Sequence, residues 1–320
     1  MKRVVSVSLG SSKRDKKVQA TFDGVEFTIE RIGADGDRKR YGELVRDLDG
    51  KVDAFGVGGM DLYLYAGNRR YTFREPLQMM AGAVKSPYVD GSGLKHTLER
   101  RAIQWLHEKG VMDFSRLNVL MVSGVDRFGM AEAMAGQAKA MVYGDLMFGL
   151  GIPIAIRSWS TFKRLASILL PIIVRLPFQW VYPTGQKQEV NTPKYERYFQ
   201  WADVIAGDWH LIRRYAPAQL NGKTIITNTI RQADLEFLRE RGVSRLITTT
   251  PEFGGESFGT NVMEAVIVAL LGKRPAELTA TDYLGTLERL GWQPRVLELE
   301  PASPETSLEA ESGEQLDGQV

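Results

Sequence analysis

Asp90 and Lys95, in VDGSGLKH (89–96), have the types and spacing for proton transfer. A lysine that opens a helix near other cations can lose proton affinity and act as acid or base, with Asp90 orienting it or a substrate hydroxyl. The plainer alternative is Asp90 as a helix cap and Lys95 in solvent. His96 is the best placed of the three histidines; His107 falls inside the helix that follows, and His210, after a strand end, is a candidate to line a cleft.

The stretch SGVDRFGMAEAMAG (123–136) raises a second chemistry, phosphate binding. Gly124 can form a sharp turn after a strand, and Gly129 admits close packing or a ligand. The free N–H groups and positive end of the next helix would then face a pyrophosphate. Asp126 would repel that anion unless Arg127 offsets it, and the middle glycine of G-x-G-x-x-G is missing. The alternative is a tight strand-to-helix turn with Asp126 as a cap. Further on, IRSWSTFKR (156–164) offers Arg157, Ser158 and Arg164 at the end of the next expected strand. Dinucleotide folds meet the adenosine ribose there, and cations without an acid favour NADP over NAD.

Other polar pieces stand at strand ends: Asp61, Asn228 and Thr249, with Thr260 and Asn261 in TTTPEFGGESFGTNVMEA (248–265). Dense glycine and threonine suggest close approach to a ligand, and Thr260 or Asn261 can cap the next helix. Glu252 and Glu256 are paired-acid candidates in the same stretch. Scattered histidines without an H-E-x-x-H pattern give no metal site. Neither a G-x-S-x-G elbow nor a P-loop lysine is present.

These residues need a frame, and the patterning supplies α/β elements. Strands are expected at 4–12, 25–33, 52–59 and 87–93, a hairpin around Gly67-Asn68, and helices at 37–48, 75–84 and 94–109. The second half alternates strands at 117–123, 152–158, 203–208, 223–229 and 245–250 with helices at 130–147, 160–180, 194–201, 209–216 and 231–241. Such alternation implies βαβ units, a parallel sheet with helices on both faces, and ligands beyond the carboxyl ends of the strands. The expected architecture is two α/β domains. Residues 1–112 form a substrate domain and 113–297 a Rossmann-like nucleotide domain, with 298–320 a disordered acidic tail. Helix 260–272 has the option of crossing back to the first half.

Composition narrows the rest. With 320 residues, 43% hydrophobic and 25% charged, the chain is of globular type. Without cysteine it has no disulfide, thiolate metal site or cysteine nucleophile, which fits a cytoplasmic setting. Seven acids and no Lys or Arg follow from Glu298 onward; removing them from a net +2 leaves +9 for residues 1–297. That body suits a carboxylate- or phosphate-bearing small molecule but is too diffuse for nucleic acid. The apolar stretch 165–182 is broken by Pro171, Arg175 and Pro177. It reads as buried or lid-like, not as a membrane segment. A homodimer is a further option.

The strings VDGSGLKHTLERRAI, SGVDRFGMAEAMA, ADVIAGDWHLIRRYAP and ITTTPEFGGESFGTNVMEA resemble a bacterial family labelled quinate 5-dehydrogenase, over about residues 4–297. The resemblance implies a substrate domain followed by a Rossmann domain. It also implies hydride transfer between NAD(P) and a hydroxyl of a quinate- or shikimate-like polyhydroxy carboxylate. In that reading Lys95 and Asp90 stand in for a catalytic Lys-Asp pair, although the Asn-x-Thr-x-Pro-x-Lys signature is absent. Asp61, His96, Asn228, Thr249, Thr260 and Asn261 would meet the substrate. Gly124, Asp126, Arg127, Gly129, Arg157, Ser158 and Arg164 would hold the cofactor. The alternatives are a non-redox transferase acting on a nucleotide sugar or phosphorylated ligand, and a non-catalytic anion sensor.

Overall fold

A computed structural model describes residues 1–67, 69–177, 190–250 and 259–300, with backbone alone at 252–253 and 256–257. The expected tail beyond residue 300, the side chains of Glu252 and Glu256, and 178–182 of the apolar stretch lie outside the described residues.

The first sheet is built from β1 (Lys2–Ser8), β2 (Lys16–Phe22), β3 (Val25–Gly33), β4 (Ala54–Gly58) and, beyond a hairpin of β5 (Tyr63–Ala66) and β6 (Arg69–Thr72), β7 (Tyr88–Val89). Its order is β2-β3-β1-β4-β7, parallel except for β2. Helices α1 (Arg38–Leu48) and α2 (Arg74–Met79) interrupt this run, and α3 (Ser92–Glu108) leaves it. Alternation along the strands feeds two cores. Val5, Val7, Phe55 and Val57 pack on one face, Val4, Phe27, Ile29 and Ala54 on the other.

The second sheet takes β8 (Asn118–Met121), β9 (Ala140–Tyr143), β10 (Val204–Ala206), β11 (Thr224–Thr227) and β12 (Arg245–Thr248). The short pair β13 (Glu252–Phe253) and β14 (Glu256–Ser257) stands apart, and β15 (Arg295–Glu298) closes the edge. The order β15-β12-β11-β10-β8-β9 is parallel but for β15. Counted within the sheet this is 2-1-3-4-5 with an added edge, a doubly wound order that differs from the 3-2-1-4-5-6 of dinucleotide folds. Leu120, Ile205, Ile225 and Leu246 fill the core on one face, Val119, Met121, Ile226 and Ile247 that on the other. Helices α4 (Phe128–Ala135), α5 (Trp159–Ile173), α6 (Glu196–Trp201), α7 (Trp209–Tyr215) and α8 (Gln232–Glu240) belong to this half. Then α9 (Thr260–Leu271) packs on β1, β4 and α3, and α10 (Ala280–Arg289) follows against α3.

Two expectations are corrected. The helix expected at 130–147 stops at Gly136 and gives way to β9, and 152–158 contributes only one bridge, Ile156 to Tyr143. AMVY is a short apolar run at the start of a longer one, and such runs carry no period that separates strand from helix. Pro153 and Gly151 break the apparent alternation after it. Among the described residues no helix is long and apolar enough to cross a membrane.

Candidate functional site

The carboxyl ends of both sheets face a common cleft of about 570 Å³. Ser6 and Ser8 of β1, Gly58 of β4, and Asp61 just after it line the cleft from the first sheet. Asp126 after β8, Asp208 after β10, and Asn228 after β11 line it from the second. These ends carry polar residues because the strands' apolar alternation stops where the chain leaves the sheet.

A chain of ion pairs crosses the floor. The Lys95 ammonium, near the start of α3, lies 3.1 Å from Asp61 Oδ1 and 3.0 Å from Asp126 Oδ1. The Arg127 guanidinium, 1% exposed, meets Asp126 at 3.0 Å, Asp208 at 2.7 Å, and Glu99. Asp61 therefore connects through Lys95 and Asp126 to Arg127, and through it to Asp208, so the network ties both sheets together. Asp90 is held apart: its Oδ2 accepts from the amides of Leu62 at 2.6 Å and Tyr63 at 2.9 Å, and its Oδ1 from Ser92 at 3.0 Å. It fixes the hairpin and opens α3.

This corrects the expectation that Lys95 loses proton affinity. Burial works in that direction, but the charges of Asp126 and Asp61 outweigh it and raise the lysine's pKa. Lys95 is a locked ammonium and cannot serve as a base near neutrality. Asp61 is pushed up to about 6 by burial, with Lys95 pulling the other way. Asp208, which burial would raise, is drawn down to about 2, chiefly by Arg127.

The phosphate loop is corrected on geometry. The amides of Gly124 and Val125 already donate to Asp145, at 3.0 and 2.8 Å. Asp145 follows β9, the strand whose place had been given to 152–158. Its carboxylate occupies the cradle a pyrophosphate would need, and burial pushes its pKa up to about 6. A side chain on Gly129 would strike the His96 carbonyl of α3, and one on Gly124 would meet Phe162 at 2.9 Å. Both glycines therefore serve packing. The residues present do not fit a pyrophosphate.

Asp61, Asp90, Lys95, Asp126, Arg127, Asn228, Thr260 and Asn261 all line the cleft, and so does His210. Asn261 donates to Ser6 Oγ at 3.0 Å, and the positive φ of Gly91 (91°) lets the α9 start sit against α3. Thr249 is fully buried and does not line the cleft. His96 lies between the Tyr65 and Phe128 rings, its pKa lowered by burial and then by Arg100. Arg157 and Arg164 are exposed, Ser158 caps α5, and none of the three lines the cleft. The sequence reading passed over Ser6, Ser8, Arg31, Trp209 and Arg214, which also line it, as does Asp208 at its strand end. VSVSLG and AGDWH carried the signal, polar residues where an apolar strand ends. Among the described residues no group of acids and histidines is placed to hold a metal ion.

No curated protein matches this sequence. Among solved structures, the arabinose-binding periplasmic component from Shewanella sp. ANA-3 is 14% identical over 99% of this chain and 100% of its own, with a TM-score of 0.35. A Mycobacterium smegmatis protein in complex with beta-D-fucofuranose is 10% identical over 98% and 95%, with a TM-score of 0.34. A glutamate dehydrogenase is 10% identical over 91% and 74%, with a TM-score of 0.39. Likenesses this remote assign no ligand. Two family models match, each described as a domain of unknown function: DUF8753 over residues 3–90 and DUF8754 over residues 93–299. These two families, and not the quinate 5-dehydrogenase family that the strings resemble, are the ones whose models match, which overturns that resemblance. The NAD(P)-dependent oxidoreductase reading falls with it, since the locked Lys95 and the filled amide cradle supply neither its base nor its cofactor loop. The model that spans most of the chain decides membership: the chain belongs to the family described as Domain of unknown function (DUF8754).

Proposed function

We propose that the chain is a binding protein for a small polyhydroxylated molecule, held in the cleft between the two sheets. One observation carries this reading. The cleft floor is a prearranged set of acceptors and donors, fixed in place by buried ion pairs. Carboxylates at Asp61 and Asp208 and the amides of Asn228 and Asn261 line the same cleft. The Asn228 Oδ1 accepts from Thr227 at 3.0 Å, which orients its amide. A hydroxyl both donates and accepts, so it can satisfy carboxylate and amide together. On the floor two cations, Lys95 and Arg127, face the carboxylates of Asp61, Asp126, Asp208 and Glu99. That excess of negative charge disfavours an anion there. A carboxylate or phosphate on the ligand would instead lie toward the partly exposed Arg31 and Arg214.

The test is thermal unfolding of the full chain with a panel of pentoses, hexoses, polyols, sugar phosphates and inorganic phosphate. A ligand at a hundredfold excess over Kd adds about 2.7 kcal/mol of stability. The expected result is a raised melting temperature with one or more polyhydroxylated compounds, abolished by Asn228→Leu. A melting temperature that no hydroxylated compound moves, or that inorganic phosphate alone raises, would refute the proposal.

A further inference from the structure

A surface distant in character from the cleft points to a second partner. From Leu146 to Pro177 the chain has no Asp or Glu, while it holds Arg157, Lys163, Arg164 and Arg175. Helix α5 lies within this run. Its inward face is fully used: Phe162 joins the core of the second sheet, and Ala166, Leu170 and Val174 join that of the first. The outward face is also apolar. Ile168 is 64% exposed, Ile172 56%, and Leu176, in the turn that follows, 36%. Spacings of four place Arg164, Ile168, Ile172 and Leu176 on one stripe, with Arg175 beside its end. Arg164, Lys163 and Arg175 are exposed.

We infer that this outward face of α5 docks on an anionic lipid surface, lying on the membrane without crossing it. Aliphatic side chains bracketed by arginines are the arrangement that enters the headgroup boundary, with long cationic side chains reaching back to lipid phosphates. The described run from Leu146 to Pro177 adds no acid of its own to repel that surface. The same charges argue against a second copy of the chain, because a two-fold pairing of this stripe would bring the arginine-bearing ends of the two helices together. The docking helix touches both cores, so a membrane-bound chain would present its cleft in a fixed orientation.

The experiment is co-sedimentation of the full chain with vesicles of mixed phosphatidylglycerol and phosphatidylcholine, and with pure phosphatidylcholine vesicles, at low and high salt. The expected result is binding to the anionic vesicles that weakens with salt. The double variant Ile168→Ser/Ile172→Ser, checked for an unchanged melting temperature, should lose it. Arg164→Gln and Arg175→Gln should each weaken partitioning about fivefold, the worth of one cation near an anionic surface. Absence of the parent chain from the anionic pellet would overturn the inference, as would undiminished binding by the double variant. So would a concentration-dependent dimer that the double variant disperses while vesicles capture nothing; that outcome would assign the face to a second copy.

Discussion

Removing the Arg127 guanidinium should expose how the cleft floor is held. The side chain is 1% exposed, and its partners Glu99, Asp126 and Asp208 are buried or nearly so. Arg127→Met keeps the length and apolar bulk but strands the carboxylates of Glu99 and Asp208 and leaves Asp126 to Lys95 alone. Breaking a buried pair by deleting one partner costs about 3–5 kcal/mol. For domains of 150–250 residues each kcal/mol moves Tm by about 2–4 °C, so a fall of about 10 °C is expected. The cost should depend on pH. In the parent, Asp208 titrates at about 2 although burial would raise it, because Arg127 holds it ionised. A lowered carboxylate pKa gives stability that persists above its unfolded value and is lost only as pH falls toward 2. Without Arg127, burial dominates and the orphaned carboxylates titrate above their unfolded values. The variant is then least affected below the unfolded value, and it loses stability as pH rises. The gap between parent and variant should therefore widen from about pH 5 to about pH 8, by about 1.4 kcal/mol for each unit a carboxylate is raised. Urea unfolding followed by tryptophan fluorescence at both pH values measures this, with Trp209 next to Asp208 as an internal reporter. A variant within about 1 kcal/mol of the parent, or a gap that stays constant across that range, would refute the account of the floor as a charge-locked network.

Glu264 carries a second pH signature. Burial, then the charge of Asp90, pushes its pKa up to about 8, and Tyr283 donates to it at 2.6 Å. The folded chain keeps this proton where the unfolded chain has lost it, so parent stability should fall as pH rises through the interval up to about 8. Glu264→Gln should remove about 3–5 kcal/mol of that decline, read from denaturation midpoints; because Asp61 and Asp145 also titrate up to about 6, the deciding interval is about pH 6 to 8, and an undiminished slope there in the variant would be the contrary result. The glycines make a paired test. Gly129→Ala should cost about 1–3 kcal/mol because its methyl would meet the His96 carbonyl. Gly136→Ala meets nothing within 4 Å at a helical φ of −85° and should be neutral or slightly stabilising. Equal melting temperatures for the two variants would show that Gly129 does not set the α3–α4 contact.

Much of the frame was legible in residue order alone. VVSVSLG, VEFTIERIG and RLITTT are β-branched runs with turn residues at their ends, and each forms a strand. RKRYGELVRDL has a 3.6-residue apolar period and forms α1, with Asp37 accepting from Lys39 and Arg40 to cap it. That strands and helices alternate in the second half was equally readable, because the period switches between 2 and 3.6. Local pattern failed at AMVY. A strand buried on both faces shows no alternation, and the error carried the presumed ribose end to Arg157 when the strand in fact ends before Asp145.

The sequence by itself determined the α/β class, most elements and the polar strand ends, because these follow from backbone geometry acting over a few residues. It could not determine what those polar residues do. Lys95 in VDGSGLKH carries no local sign that Asp61, 34 positions earlier, and Asp126, 31 positions later, would enclose it. Gly124 and Gly129 look the same in sequence whether they admit a phosphate or the side chain and helix that fill their space. Proton affinity, charge balance and free volume are sums over neighbours brought together by long-range packing, and only the tertiary structure decided them.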